Sequence, residues 1–428
     1  MTSYDADRAA LRALFDVGLK AADPAVCVPP HLPAPPEGRT IVIAAGKAAA
    51  SMARAVEDNF QGHIEGIAVT RYGHGTECRI IEVIEASHPV PDDRGEVAAR
   101  KLMQTVTGLG PDDLVLCLIS GGGSALLGLP AEGLTLKQKK AINKALLASG
   151  APIGEMNTVR KHLSAIKGGR LAQAAHPARV VTLGISDVPG DDPSVIASGP
   201  TVADKTTLAD ALDVIARFSI AISEEVRAHL DDPGSETPKP GDPVFEGNSY
   251  VLIARPADMV EAVARAGRLM GYDVISLGAD IEGEAREVGK AQARMALDLA
   301  EKMKPDARPV LIVSGGETTV TVDRPGGRGG RNCEYLLALA VALDGDPRIC
   351  ALACDTDGID GSEDNAGAII DPGTLYRAEA RGLKPAKYLA DHDSYTLFSA
   401  TGDLVMTGPT LTNVNDLRLI LISPPKVF

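Results

Sequence analysis

The chain contains no tryptophan, and aromatic residues fill only 3% of its 428 positions. A core anchored on large aromatics is therefore excluded. Burial must rest on Ala, Val, Leu and Ile, and the 45% hydrophobic content supplies them. Positive charge is also short. Lys and Arg number 43 against 57 Asp and Glu, a formal net charge of −14. Such a balance disfavours nonspecific contact with nucleic acid and anionic membranes, so neither is expected as a partner. Cysteine is sparse: six residues, at 27, 78, 117, 333, 350 and 354, with no Cys-x-x-Cys. Several stand in apolar runs such as LVLCLIS, which predicts reduced, buried thiols and a cytoplasmic location. No run of about 18 apolar residues predicts a membrane span. The start, MTSYDADRAALRALF, has no apolar signal core.

Standard fingerprints are missing too. After the first apolar run stands AAGKAAASMA, not G-x-G-x-x-G. The phosphate-loop pattern fails because Ile41 occupies the first glycine position and Ala48 follows Lys47. G-x-S-x-G fails at Leu126, and no zinc-ligand spacing joins the His and Cys residues. Ordinary Rossmann dehydrogenases, phosphate-loop enzymes and serine hydrolases of the elbow type are not first choices.

What is present is a repeated pattern of short apolar runs followed by helical segments. The runs TIVIAAG, DLVLCLISGGG and RVVTLGISD do not alternate with polar residues, as strands covered on both faces do not. This predicts α/β architecture with a mainly parallel first sheet. The N-terminus reads as an amphipathic helix with Leu11, Leu14 and Phe15 on one face. The length predicts two or three domains, and the Pro-, Gly- and Asp-rich segment 229–249 marks a boundary. The pattern then restarts. TTVTV, residues 318–322, reads as an antiparallel strand, so the second sheet is expected to be mixed.

The chemistry concentrates in glycine-rich and acidic loops. Lys47 stands at a strand-to-helix junction, where helix N–H groups favour an anion. Ser120, Gly121, Gly122, Gly123 and Ser124 offer consecutive backbone N–H groups without bulky side chains, a nest for phosphate or carboxylate. PVLIVSGGETTV echoes that run, with Ser314, Gly315, Gly316 and Glu317. In NTVRKHLSAIKGGRLA a helix breaks at Gly168–Gly169, with Arg160 and Lys167 close on the helical wheel. Asp187 follows an apolar run, and Asp357 sits in CDTDGIDGSEDNAGA beside Asp355; carboxylates at strand ends hold magnesium or accept a hydroxyl proton. In RPGGRGGRNCEY, Arg324 to Tyr335, the glycines from Gly326 to Gly330 permit close backbone approach. Arg328 and Arg331 are expected to reach phosphate, with Glu317, Asn332 and Glu334 orienting them or a metal. Arg331 opens an apolar helix, an unfavourable place for a cation unless an anion is near.

Taken together, AAGKAA, LISGGGSALL, NTVRKHLSAIKGGRLA, ISDVPGDDPSVIASGPT, SGGETTVTV, GGRGGRN, DTDGIDGSEDNAGA and GDLVMTGPTLTNVNDLRLIL resemble the glycerate 2-kinase family that contains a MOFRL domain. Many members of that family are labelled hydroxypyruvate reductases of tartrate operons. The resemblance covers nearly the whole chain. It implies two three-layer α/β/α domains, a Rossmann-like one over 1–240 and one over 241–428 with the MOFRL region at about 308–422, and an active site in the cleft between them. It implies ATP-dependent, magnesium-assisted phosphorylation of D-glycerate on its 2-hydroxyl. Lys47, Asp187, Arg331 and Asp357 match the key motif positions. Asp187 and Asp357 are expected to share metal coordination and proton acceptance, with Asp355 ranked lower. The Ser120–Ser124 and Ser314–Glu317 loops, with Arg328, Gly330 and Asn332, are expected to hold ATP, and either glycine loop also suits the glycerate carboxylate. A homo-oligomer stays open. Cys333 stands where the family commonly has glutamine. The rival reading is NAD(P)H-dependent hydroxypyruvate reduction; a non-enzymatic hydroxy-acid-binding protein is a third.

Overall fold

The computed structural model describes residues 4–322 and 327–425. In chain order its strands are β1 (Thr40–Ala45), β2 (Glu65–Arg71), β3 (Glu82–Ala86), β4 (Leu114–Ile119), β5 (Arg179–Ile185), β6 (Ser249–Ala254), β7 (Asp273–Ser276), β8 (Val310–Gly316), β9 (Ile349–Asp355), β10 (Gly367–Ile370), β11 (Leu404–Val405) and β12 (Asp416–Ile422). The main helices are α1 (Asp5–Ala21), α2 (Ala49–Asn59), α3 (Asp93–Val106), α4 (Ile153–His162), α5 (Leu208–Arg217), α6 (Pro256–Leu269), α7 (Ala285–Lys302) and α8 (Arg331–Leu343). The chain divides into two units, residues 24–253 and residues 1–23 with 254–428.

The unit of residues 24–253 is built on a six-stranded sheet of order β3-β2-β1-β4-β5-β6. Four pairings, β1 with β2, β1 with β4, β2 with β3 and β4 with β5, are parallel. This is the strand order of doubly wound dinucleotide folds, and it reverses direction between β1 and β4. Every residue of β1 and β4 is buried, as the unbroken runs TIVIAA and LVLCLI require. Ile41, Ile43, Val115 and Cys117 pack with Leu102 and Val106 of α3, each worth about 1.5–3 kcal/mol for the larger aliphatic groups. Local signals fix the helix starts. Asp92 accepts the Gly95 N–H to begin α3, and Thr207 with Asp210 forms a capping box at α5.

The other unit carries a sheet of order β11-β10-β9-β12-β8-β7. Only β7 and β8 pair in parallel; β12 runs antiparallel to both β8 and β9, and β10 antiparallel to β9 and β11. The sheet is mixed as expected, but not through TTVTV. Residues 318–322 form no strand; Thr319 makes a single bridge to Glu284. The chain leaves the sheet at Gly316, whose φ of +110° turns it toward Ile281, so the β-branched run has no neighbouring strand to join. The reversal instead comes from DLRLILI, which is β12.

The expected boundary at 240/241 differs from the observed division on two counts. β6 completes the first sheet, so that unit runs on to Ile253. And α1 packs with the second unit, against α6, β9 and β12, not with residues 24–253. Leu11, Leu14 and Phe15 are fully buried there. Arg8 Nη1 donates to Asp371 Oδ2 at 2.7 Å and Asp403 Oδ1 at 2.9 Å. The apolar face of α1 announces that it must be covered, but not which distant surface covers it.

Candidate active site

Lys47 and the Ser120–Ser124 loop lie at the carboxyl ends of β1 and β4, on either side of the point where the strand order reverses. Ligands bind at such points in open α/β sheets. The two segments are tied together. Lys47 N–H donates to Gly121 O at 2.8 Å, and Ala48 N–H donates to Ser120 Oγ at 3.0 Å. Gly46 makes this approach feasible: its φ is +133°, and a Cβ there would lie 2.1 Å from Ser120 Oγ. A Cβ on Gly122 would lie 3.2 Å from Lys47 Cγ and 3.1 Å from His88 Nε2, so lysine, loop and His88 are packed together. No motif in the sequence marks His88.

The nest is narrower than five consecutive donors. The Ser120 N–H is spent on Ala45 O at 3.0 Å and the Gly123 N–H on Ser120 O at 3.2 Å. Among the described residues the Gly121, Gly122 and Ser124 N–H groups have no protein acceptor, and the adjacent Gly121 and Gly122 donors, free of side chains, are best suited to an anion. Asp187 follows the end of β5, the strand beside β4, with Ser186 buried next to it. Lys47 and Asp187 thus share one end of one sheet.

Behind the loop, Lys167 Nζ lies 2.6 Å from Ser124 Oγ and 2.5 Å from Ser124 O. Ser124 Oγ also lies 2.8 Å from Ser198 Oγ. Lys167 and Ser198 are buried while Ser124 is half-exposed. The helix break expected at Gly168–Gly169 is present, with both glycines at positive φ, and it aims Lys167 inward. Arg160 instead donates to Asn143 Oδ1 at 2.7 Å. The only sequence signal for Ser198 is a serine in a Pro/Gly-rich loop, which is too common to pick out.

In the other unit, register decides the site. Asp416 begins β12 and is paired with Gly316 at the end of β8 and with Asp355 at the end of β9. Glu317, Asp416 and Asp355 therefore come to the same edge of three neighbouring strands. Arg331, first residue of α8, bridges all three: Nε to Asp416 Oδ2 at 2.9 Å, Nη1 to Glu317 Oε1 at 2.9 Å, Nη2 to Asp355 Oδ2 at 2.8 Å. Burial works against its charge, but Asp416, Asp355 and Glu317 outweigh it and hold the guanidinium more firmly protonated than usual. The anion that its place at a helix start requires is supplied by the chain's own carboxylates.

The N-terminus of α8 is closed in the same way. Asp360 Oδ1 accepts the Asn332 N–H at 2.9 Å and Oδ2 the Cys333 N–H at 2.8 Å. Burial pushes the Asp360 carboxyl up to about 6, against the pull of those two N–H groups and with the neighbouring Asp416 charge adding to the rise. Asn332 is fully buried and donates to Asp416 Oδ1 at 2.8 Å, so its side chain serves this network. Cys333 is fully buried, with Asn365 Nδ2 at 3.2 Å from its sulfur; the departure from glutamine lies in the interior. Glu334 is buried against Arg286 and His392. Arg328 is exposed, pairs with Glu363 at 2.5 Å and stacks over Tyr395 at 4.4 Å; Gly330 is the residue preceding α8. Arg324 and Gly326 lie outside the described residues.

Ser314, Gly315 and Gly316 are not an open loop. They are the last residues of β8, paired with Arg418, Leu417 and Asp416. Arg418, fully buried, donates to Gly315 O at 3.2 Å, Gly316 O at 3.3 Å and Asp416 Oδ2 at 2.9 Å. The backbone there is engaged by the protein, and only Glu317 projects past the strand. Asp357 is buried and its Oδ1 accepts the Ile359 N–H at 2.8 Å, an Asx turn; its own N–H donates to Asp355 Oδ1 at 3.0 Å. Among the described residues no three His, Cys, Asp or Glu side chains are grouped to hold a metal. The signal for Asp416 and Arg418 was available: two charges inside the apolar run DLRLILI must be paired.

Comparison with known proteins gives a consistent family. Residues 10–231 match a family described as a domain of unknown function, DUF4147, and residues 310–416 match the MOFRL family. A protein of Agrobacterium vitis, named provisionally as a hydroxypyruvate reductase, is 56% identical over 97% of this chain and 94% of its own. The D-glycerate 2-kinase of Thermotoga maritima is 41% identical over 90% of this chain and 91% of its own. The crystal structure of a glycerate kinase from Thermotoga maritima superposes with a TM-score of 0.88 at 39% identity, covering 98% of this chain and all of that one.

Proposed function

The chain belongs to the glycerate kinase family that carries a MOFRL domain, and from that premise we propose that it transfers the γ-phosphoryl group of ATP to the 2-hydroxyl of D-glycerate, giving 2-phosphoglycerate and ADP. The observation that carries the reading is the pairing of Lys47 with the Ser120–Ser124 loop at the reversal point of a doubly wound sheet. Phosphoryl transfer asks a protein mainly for positioning and charge neutralisation. Lys47 supplies a cation and the Gly121 and Gly122 N–H groups supply donors for a phosphate or the glycerate carboxylate.

Arg331 is the second cation in this reading. Three of its five N–H groups are committed to Asp416, Glu317 and Asp355, which leaves two for a phosphate oxygen. Asp187 and Asp357 share acceptance of the hydroxyl proton and coordination of magnesium, with Asp355 as a further carboxylate. Magnesium bound with nucleotide uses one or two carboxylates and the phosphates rather than a protein cage, so a sparse set of hard oxygen donors without a three-ligand group fits it. When bound, it would supply charge neutralisation on the phosphates. We place the enzyme in the cytoplasm, on the six cysteines that form no disulfide. Among the described residues no helix is long and apolar enough to cross a membrane.

Phosphorus NMR of the product formed from D-glycerate and ATP tests the reading. The expected product is 2-phosphoglycerate with stoichiometric ADP. NADH oxidation with hydroxypyruvate, without ADP formation in the kinase assay, would overturn it in favour of a reductase.

A further inference from the structure

Lys167 is 3% exposed and makes no ion pair among the described residues. Lys161, six residues earlier and equally buried, contrasts with it by pairing with Asp204 at 3.3 Å. The groups acting on Lys167 are cationic, Lys139 and Arg160. Burial first, then those two charges, holds its amine well below the usual lysine range. Its nitrogen contacts Ser124 alone, at the backbone oxygen and at Oγ. The second partner of Ser124 Oγ is the hydroxyl of Ser198, a residue at φ +62° between Ala197 at +51° and Gly199 at +59°. Left-handed backbone is strained at Ala197 and Ser198, though not at the glycine, and strain of this kind collects where geometry serves function. A half-exposed serine, an unpaired buried amine and an orienting hydroxyl are the parts of an activated nucleophile. The Gly121 and Gly122 N–H groups, close by in the chain, are donors for the oxyanion that attack would create.

We propose that Ser124 is a nucleophile with Lys167 as its base, able to take an acyl group from an activated ester. Ser124 Oγ bonds to the ester carbonyl carbon as its proton passes to Lys167 Nζ. The carbon–aryloxide bond breaks, and the aryloxide takes the proton from the lysine and leaves as the phenol. Water then hydrolyses the acyl-serine, releasing the carboxylic acid and restoring the hydroxyl. The activity shares the Gly121 and Gly122 donors with the kinase reading but needs neither nucleotide nor metal, so its test is separate from that of the kinase.

The test uses the full-length protein without ATP, p-nitrophenyl acetate as substrate and a fluorophosphonate as a trapping probe, read by intact mass and peptide mapping. One adduct is expected, on Ser124, absent in Ser124→Ala. Its rate should fall by about 100-fold or more in Lys167→Met, the usual worth of a general base. In the wild type the labelling rate should level off well below the pH at which an ordinary lysine titrates, not climb toward pH 10. The wild-type measurements decide the matter even if Lys167→Met fails to fold. No adduct, an adduct elsewhere, or a rate still rising through pH 9 overturns the proposal.

Discussion

Replacing Arg331 with alanine removes the counter-ion shared by Asp355, Asp416 and Glu317. The three do not contribute equally. The Glu317 side chain is 48% exposed and its pairing is worth at most about 1 kcal/mol. Asp355 and Asp416 are 4% and 0% exposed, and water cannot replace the guanidinium. Asp416 keeps Arg418 at 2.9 Å and the Asn332 amide at 2.8 Å, and Asp355 keeps the Asp357 N–H at 3.0 Å. Removing one member of a buried pair costs about 3–5 kcal/mol. At roughly 2–4 °C per kcal/mol for a unit of this size, the melting transition should drop by about 6–20 °C. Arg331→Lys should recover only part of this, because an ammonium cannot address three carboxylates at the angles a guanidinium spans. Scanning calorimetry reads the shift, and kinase turnover is then measured at a temperature where both proteins are folded. A variant that melts within 2 °C of wild type would refute the argument that the strand-edge carboxylates depend on Arg331. Full turnover in the folded Arg331→Ala protein would remove the arginine from phosphoryl transfer while leaving its structural role intact.

Lys47→Ala should lower kcat/KM for phosphorylation of D-glycerate by at least about 100-fold with little change in melting temperature, since the residue is half-buried at the sheet end; a steady-state assay paired with a melt checks both halves. Gly46→Ala should cost about 1–3 kcal/mol and most of the activity, because an L-residue at φ +133° is strained and its Cβ would press on Ser120; normal urea stability would contradict the packing described. Asp360 titrates near 6 when folded against 3.8 when unfolded. The folded protein therefore binds that proton more tightly between those values, and stability is greatest below the window and falls as pH rises through it. The fall amounts to roughly 3 kcal/mol and should be missing in Asp360→Asn, as urea midpoints from pH 4 to 7 would reveal.

Much of the fold was legible because buried parallel strands leave a local trace. TIVIAA and LVLCLI announce β1 and β4, and the glycine and lysine after them announce the site. TTVTV misled because alternation records what a segment could pair with, whereas a strand exists only where a neighbour is present; β8 had already turned away at Gly316. Of the partners of Arg331, Glu317 was legible in the sequence, whereas Asp416 was hidden for a related reason. Asp416 is 85 residues distant and reaches the arginine through strand register, which no local pattern encodes. Asp360 looked like one acid among several in a loop, yet it alone caps α8. The short apolar strand β12 did carry a clue in its two charges, and the rule that buried charges are paired would have pointed to this network.

Because α1 packs with residues 254–428, the order in which the ribosome delivers the chain matters. Arg8 emerges 363 residues before Asp371, its ion-pair partner. At about 5–20 residues per second that interval is roughly 20–70 s. For most of it Leu11, Leu14 and Phe15 lack their native surface, because α6, β9 and β12 all follow residue 253, whereas residues 24–253 are complete before Asp371 is made. Helix α1 is thus made well before it can dock, and until then it is a tethered apolar segment of the kind that chaperones bind.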